Sequence, residues 1–275
     1  MNKIAFIIPP TVELLDLAGP VQVFTEAKFY GFALDLEFFI YQHDPVCTSG
    51  LGFGKMAHYS EAQLAEGDYV FIPGMDQNYV MSESFEAEET FFQWLNACAD
   101  RGITVCSVCN GAFALGHAGL LNGIECTTHW RRVEALQAQF PQAKVLADRL
   151  YVKHRCVCTS AGISAGIDLA LSILEDLAGG LFTQKVARGL VVYHRKSGSN
   201  QQEGFYLRFR NHINASIHDL QDYLIDNTAG DTSMAKLAAE AGMSPETLRY
   251  AFEAATGITL VDYLTQLRLE LASGA

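Results

Sequence analysis

Two stretches of this 275-residue chain carry residue types whose spacing could do chemistry. In Val105-Cys106-Ser107-Val108-Cys109-Asn110-Gly111-Ala112 an apolar strand pattern runs into a turn at Cys109, and a helix pattern follows. A side chain at such an elbow stands above the C-terminal edge of a sheet. The helix N-terminus beside it carries partial positive charge, so a thiol placed there is expected to favour its thiolate, a nucleophile or ligand contact. The second stretch runs from Met234 to Phe252, where two helical stripes meet at Gly242. Leu237, Ala238 and Ala241 face inward from the first helix, and Leu248 and Phe252 from the second; Ser244 caps the second helix with Pro245 at its first position. This is a helix-turn-helix pattern, and the residues it leaves facing outward from the second helix are Glu246, Thr247, Arg249, Tyr250 and Glu253.

The remaining chemistry-bearing residues read more blandly. The chain has seven cysteines without the paired spacing of a zinc site, so no metal is expected and the thiols should be reduced. Cys156 and Cys158 alternate along a strand-like run and read as core filling, as do Cys106 and Cys126. No cofactor motif is present. Cys106, three residues before Cys109, is a conceivable resolving thiol for a redox sensor, although its place on the strand weakens that reading. The formal net charge of −12 excludes broad attraction to nucleic acid, so any DNA contact must be local. Between residues 195 and 212 the balance reverses, with Arg195, Lys196, Arg208 and Arg210 against Glu203, as in a solvated linker or a phosphate-facing hinge.

The elements that must position these residues follow from periodicity. Strand signals at 4–8, 34–41, 68–72 and 103–107 alternate with helices beginning near Leu17 and after Gly111, and spanning 87–100. A strand pair over 151–159 and helices over 164–177 and 183–193 continue the pattern, which reads as an α/β fold with parallel strands and covering helices. Residues 196–204, rich in Gly, Ser and Gln, mark a boundary; beyond it helices are expected over 217–227, 232–241, 245–256 and from 260 onward. The expected division is therefore 1–195, a linker 196–216, and a small all-α segment 217–275. The short apolar run at the N-terminus is broken by Pro9 and Pro10, which suits neither a secretory signal nor a membrane span, so a cytoplasmic location is expected.

The elbow, with Leu15-Asp16-Leu17-Ala18-Gly19-Pro20, Phe71-Ile72-Pro73-Gly74, Thr127-Thr128-His129-Trp130-Arg131 and Thr159-Ser160-Ala161-Gly162, resembles the ThiJ/PfpI superfamily, in particular its amidotransferase-like regulators, the GlxA group. The resemblance implies a flavodoxin-like, doubly wound parallel sheet. It also implies that Cys109 is the elbow cysteine, that Asp16 is the acid lying over it, and that Gly74 offers a backbone N–H to the pocket; His129 would complete the site. Asp16, Gly74, Cys109, Asn110, His129 and Trp130 are thus candidate ligand-binding residues, with Cys109, Asp16 and His129 the candidates for any catalysis. Asp16 also reads as the N-cap of a helix with Pro20 in its first turn.

The second stretch, continued by Thr256-Gly257-Ile258-Thr259 and Tyr263 to Glu270, resembles the first half of an AraC-type DNA-binding domain. In that family a helix of this kind enters the major groove, so the resemblance implies that Glu246, Thr247, Arg249, Tyr250 and Glu253 form the DNA-reading face, with Arg249 as the natural base or phosphate reader. The family carries two helix-turn-helix units, so the resemblance also implies a partial domain here. It commonly has Arg where this chain has Tyr250, and residues 217–275 hold nine acidic against three basic side chains. Together the resemblances imply a transcriptional regulator that binds an operator as a homodimer under control of a small metabolite, an amino acid or amine, with no membrane partner. The alternative is a cysteine enzyme, isonitrile hydratase-like or amidase-like.

Overall fold

The structure, a computed structural model, describes residues 1–42, 45–192, 197–199, 208–210, 212–228 and 230–273, with side chains to Leu271. The chain divides into two compact units, Met1–Gln202 and Glu203–Ala275.

The first unit is built on seven strands: β1 (Asn2–Ile8), β2 (Leu34–Ile40), β3 (Ala57–His58), β4 (Tyr69–Ile72), β5 (Thr104–Val108), β6 (Tyr151–His154) and β7 (Val157–Ser160), in spatial order β6-β7-β5-β4-β1-β2-β3. β1 runs parallel to both neighbours, with Ile4 opposite Leu36 on one side and Tyr69 on the other. Its residues Ile4 to Ile8 are at most 2% exposed, as a central parallel strand covered on both faces must be. Side-chain alternation sorts them into two layers. Ala5 and Ile7 join Val70, Ile72 and Val105 under the helices α2 (Glu89–Asp100) and α3 (Ala112–His117), whereas Ile4, Phe6 and Ile8 join Phe71, Cys106 and Val108 under α1 (Leu14–Phe29), α5 (Ser164–Ala178) and α6 (Gly180–Gly189). A short helix, α4 (Val133–Gln139), packs on α3.

Strands β2 and β3 lie on one side of β1, and the chain then crosses to lay β4 and β5 on the other. Such a reversal leaves a crevice at the carboxyl ends of the strands. The segments leaving β1, β4, β5 and β7 there carry Asp16, Gly74, Cys109 and Gly162.

Two expectations need correction, and the expected α/β sheet is refined at one edge. The sheet is not wholly parallel, because β6 and β7 form an antiparallel hairpin at one edge, with Tyr151 opposite Ser160. The hairpin turns at Arg155-Cys156, so Cys156 leaves the strand alternation while Cys158 enters the core. Helix α1 begins at Leu14 rather than near Leu17, which makes Glu13 its N-cap and puts Pro20 at its seventh position. Within the stretch expected as a linker, Gly198 accepts the N–H of Leu150 at 3.1 Å in the first unit, and Phe209 is buried in the core of the second. Arg195 and Lys196 lie outside the described residues.

The second unit is helical: α7 (Ala215–Asp226), α8 (Met234–Glu240), α9 (Pro245–Thr256) and α10 (Leu260–Ser273). Asn214, Ser233 and Ser244 cap α7, α8 and α9, each accepting an N–H of the first turn. Gly242, at φ +64°, makes the turn between α8 and α9. Leu220, Leu237, Leu248, Phe252, Tyr263 and Leu267, all at most 2% exposed, form its core.

Candidate functional site

Cys109 stands between β5 and α3 with φ of 57°, a left-handed conformation that a residue with a Cβ seldom adopts. Neighbours on every side fix it there. Thr128 donates its hydroxyl to the Cys109 carbonyl at 2.9 Å. Gly162 comes so close that a Cβ on it would lie 2.3 Å from Cys109 Cβ and 2.9 Å from Sγ, and Gly74 closes the other side, where a Cβ would lie 3.1 Å from Cys109 Cβ and 2.2 Å from Asp16 Oδ2. Glycine is required at both positions by close approach, and at Gly162 also by its φ of +93°.

Asp16 lies in the first turn of α1, 1% exposed, and is not the helix cap. Its Oδ1 accepts the backbone N–H of Ile163 at 2.5 Å. Ile163 holds φ 52° and ψ −117°, which for a β-branched residue is a strained backbone of the kind found at functional sites. The second oxygen, Oδ2, is buried and has no aimed donor. Burial raises the Asp16 carboxyl from 3.8 to about 6; the Ile163 N–H pulls it back, and the nearby Cys109 thiol and Gly74 N–H act the same way.

The thiolate expected from the helix N-terminus does not form. Burial, first, and then the negative charge of Asp16 push the Cys109 thiol well above its ordinary range, and the Asn110 N–H offsets only part of this. At neutral pH the pair is a thiol under a carboxylate that titrates near 6. Chemically this suits proton exchange between the acid and a bound molecule, or a hydrogen bond to one, better than a standing nucleophile.

The other candidates divide. The amide of Asn110 is spent on Met75, accepting its N–H at 2.8 Å and donating to its carbonyl at 2.7 Å, which holds the turn after Gly74 against the elbow. His129 follows the anchoring Thr128, but its Nδ1 accepts the Arg131 N–H at 3.3 Å as a helix cap, and burial together with Arg131 and Arg132 lowers its affinity for a proton. Trp130 is 56% exposed, its ring stacked with His129 at 5.7 Å and 4.9 Å from the Arg131 guanidinium. Cys106 is buried opposite Cys158 on the neighbouring strand, and the two thiols interact with each other. It is therefore not a partner poised for Cys109.

Sequence reasoning did not assign Gly162 or Ile163 to the site. The signal was present, because Thr159 to Gly162 carried part of the resemblance, yet a backbone N–H donor leaves no trace in residue type. A separate cleft of about 320 Å³, lined by Glu89, Phe92, Gln93, Asn96, His117 and Ala118, lies at the opposite end of α3 from the elbow.

In the second unit Glu246, Thr247, Arg249, Tyr250 and Glu253 are exposed along α9, while Leu248 and Phe252 are buried. Thr247 shares the cap with Ser244, their hydroxyls 2.8 Å apart. The Arg249 guanidinium lies 4.6 Å from the centre of the Tyr250 ring. Arg210, from the basic stretch, is paired with Asp222.

Residues 2–176 match the model of the DJ-1/PfpI family, and residues 224–265 that of the bacterial regulatory helix-turn-helix proteins of the AraC family. The chain is 31% identical over 180 residues to an isonitrile hydratase from Pseudomonas putida, covering 64% of this chain and 72% of that one. It is 28% identical over 228 residues to the HTH-type transcriptional regulator GlxA from Rhizobium meliloti, covering 82% of this chain and 67% of that one. Its fold is similar to that of an AraC family transcriptional regulator from Pseudomonas putida, with a TM-score of 0.61 and 18% identity over 69% of this chain and all of that one. The chain belongs to the DJ-1/PfpI family, and its second unit is an AraC-family helix-turn-helix segment.

Proposed function

We propose that this protein is a ligand-responsive, DNA-binding transcriptional regulator of the AraC type, whose DJ-1/PfpI unit binds a small metabolite at Cys109 and Asp16. The observation that carries the reading is a capped helix-turn-helix with a buried core and an outward Arg249, joined to a unit whose elbow thiol is held protonated. Asp16 Oδ2, which meets no donor in hydrogen-bond geometry, would suit a ligand that brings a hydrogen-bond donor, such as the N–H of an amino acid or amine. Gly74 and Cys109 would touch such a ligand, and His129 and Trp130 would form an outer rim. Binding as a homodimer would let two reading helices act together, compensating for the acidity of the segment. A cytoplasmic location fits contact with an operator; no described helix is long and apolar enough to cross a membrane.

A second reading, a cysteine enzyme such as an isonitrile hydratase, rests on the elbow geometry of Cys109 with Asp16 over it. One experiment separates the two: a thermal-shift screen of amines, amino acids and carbonyl compounds on wild type and Cys109→Ala, with mass spectrometry of every stabilising compound. A regulator returns the compound unchanged. Conversion by wild type and not by Cys109→Ala makes the protein an enzyme.

A further inference from the structure

We propose that Tyr250 is a positioning residue for DNA reading: its ring holds the Arg249 guanidinium in place to recognise a guanine in the major groove. The inference rests on the regulator reading above and goes beyond it by naming the base and the device.

Arg249 has acidic residues within helical reach on both sides, Glu246 three positions before and Glu253 four positions after, and all three side chains are exposed. Among the described residues it pairs with neither, and its guanidinium lies instead over the Tyr250 ring at 4.6 Å. Tyr250 is itself 58% exposed, so burial does not account for the arrangement. A guanidinium over an aromatic face is attracted to the ring yet keeps its N–H groups for another partner. Those donors match the O6 and N7 acceptors of guanine. Glu246 and Glu253 oppose the alternative target, because carboxylates flanking the arginine repel the phosphate backbone. Restraining a long side chain before binding also lowers the ordering cost when the contact forms.

The test uses the full chain in a binding-site selection from random duplexes, followed by competition between the selected guanine and its substitutes, 7-deazaguanine included. Arg249→Ala is expected to lose roughly 5- to 150-fold in discrimination at one G·C pair, the range for a bidentate base contact. Tyr250→Ala should lose about threefold at that same pair, Tyr250→Phe should keep wild-type discrimination, and Tyr250→Ala should add nothing in the Arg249→Ala background. The salt dependence of affinity should be the same for all four, because no phosphate contact is removed. Wild-type behaviour of Tyr250→Ala overturns the proposal while leaving the regulator reading intact. A loss in Tyr250→Ala that persists without Arg249 also overturns it, since Tyr250 would then act directly. Failure of the wild type to select any sequence removes the DNA reading itself, and this proposal with it.

Discussion

Asp16 and Ile163, 147 residues apart, are joined by a 2.5 Å hydrogen bond from the Ile163 N–H to the carboxyl that lies over the Cys109 thiol. One acid thus clasps the start of α1 to the loop before α5 and adds its negative charge to the burial that raises the proton affinity of the elbow thiol.

The acid gives stability a defined pH dependence. Its folded value, about 6, is raised above the ordinary 3.8, so its contribution is fully present below about 4 and is lost as pH rises through 6. Asp16→Asn resembles the protonated acid at every pH and can still accept the Ile163 N–H. Relative to wild type it should gain up to about 3 kcal/mol at pH 7.5, with the gap closing toward pH 4.5. Thermal melts of both proteins across that range check this; a pH-independent difference would show that Asp16 does not titrate in the folded state as described.

Thiol reactivity should follow the same acid. Cys109 in wild type should alkylate slowly at pH 8, and Asp16→Asn should speed it about tenfold by removing a neighbouring negative charge. Iodoacetamide labelling resolved by peptide mass spectrometry measures the site directly. Equal rates would mean that burial alone controls the thiol.

Close approach makes Gly162 a sharper requirement than its conformation alone. Gly162→Ala places a Cβ 2.3 Å from that of Cys109 and should cost about 3 kcal/mol, whereas Gly123→Ala, at φ +75° with nothing within 4 Å, should cost about 1. Denaturant melts of the two variants should therefore differ clearly. Similar losses would indicate that the elbow yields to accommodate the new methyl group.

The α/β order and helical second unit were legible because burial imposes periodicity: β1 is apolar throughout, and α9 shows its Ser-Pro start and inward Leu248 and Phe252 in residue type alone. Cys109 could be found for a related reason, since a strand pattern that stops at Cys-Asn-Gly marks an elbow. What stayed hidden depends on tertiary approach. The Ile163 N–H belongs to the backbone, the early start of α1 comes with Glu13 donating its N–H to the Gly74 carbonyl at 2.8 Å, and the role of Asn110 required Met75 to lie opposite it. The raised thiol was missed for the same reason, because helix-terminal charge can be anticipated from local sequence whereas burial beneath a carboxylate cannot.

Helix α9 depends on its cap. Ser244→Ala removes an acceptor from the Thr247 N–H, a 3.1 Å bond, and should cost the second unit about 1 kcal/mol. Hydrogen exchange should report faster opening of α9 with α2 unaffected; unchanged protection in α9 would mean that Pro245 and core packing alone hold the helix start.

The most direct test of the central claim is the affinity of the full chain for its selected DNA site, measured by fluorescence anisotropy with and without a compound that raises the melting temperature. The account predicts sequence-selective, salt-sensitive binding that changes when the compound is added to wild type and does not change in Asp16→Asn. Selective binding that ignores every compound bound at the elbow, or no selective binding at all, would contradict it.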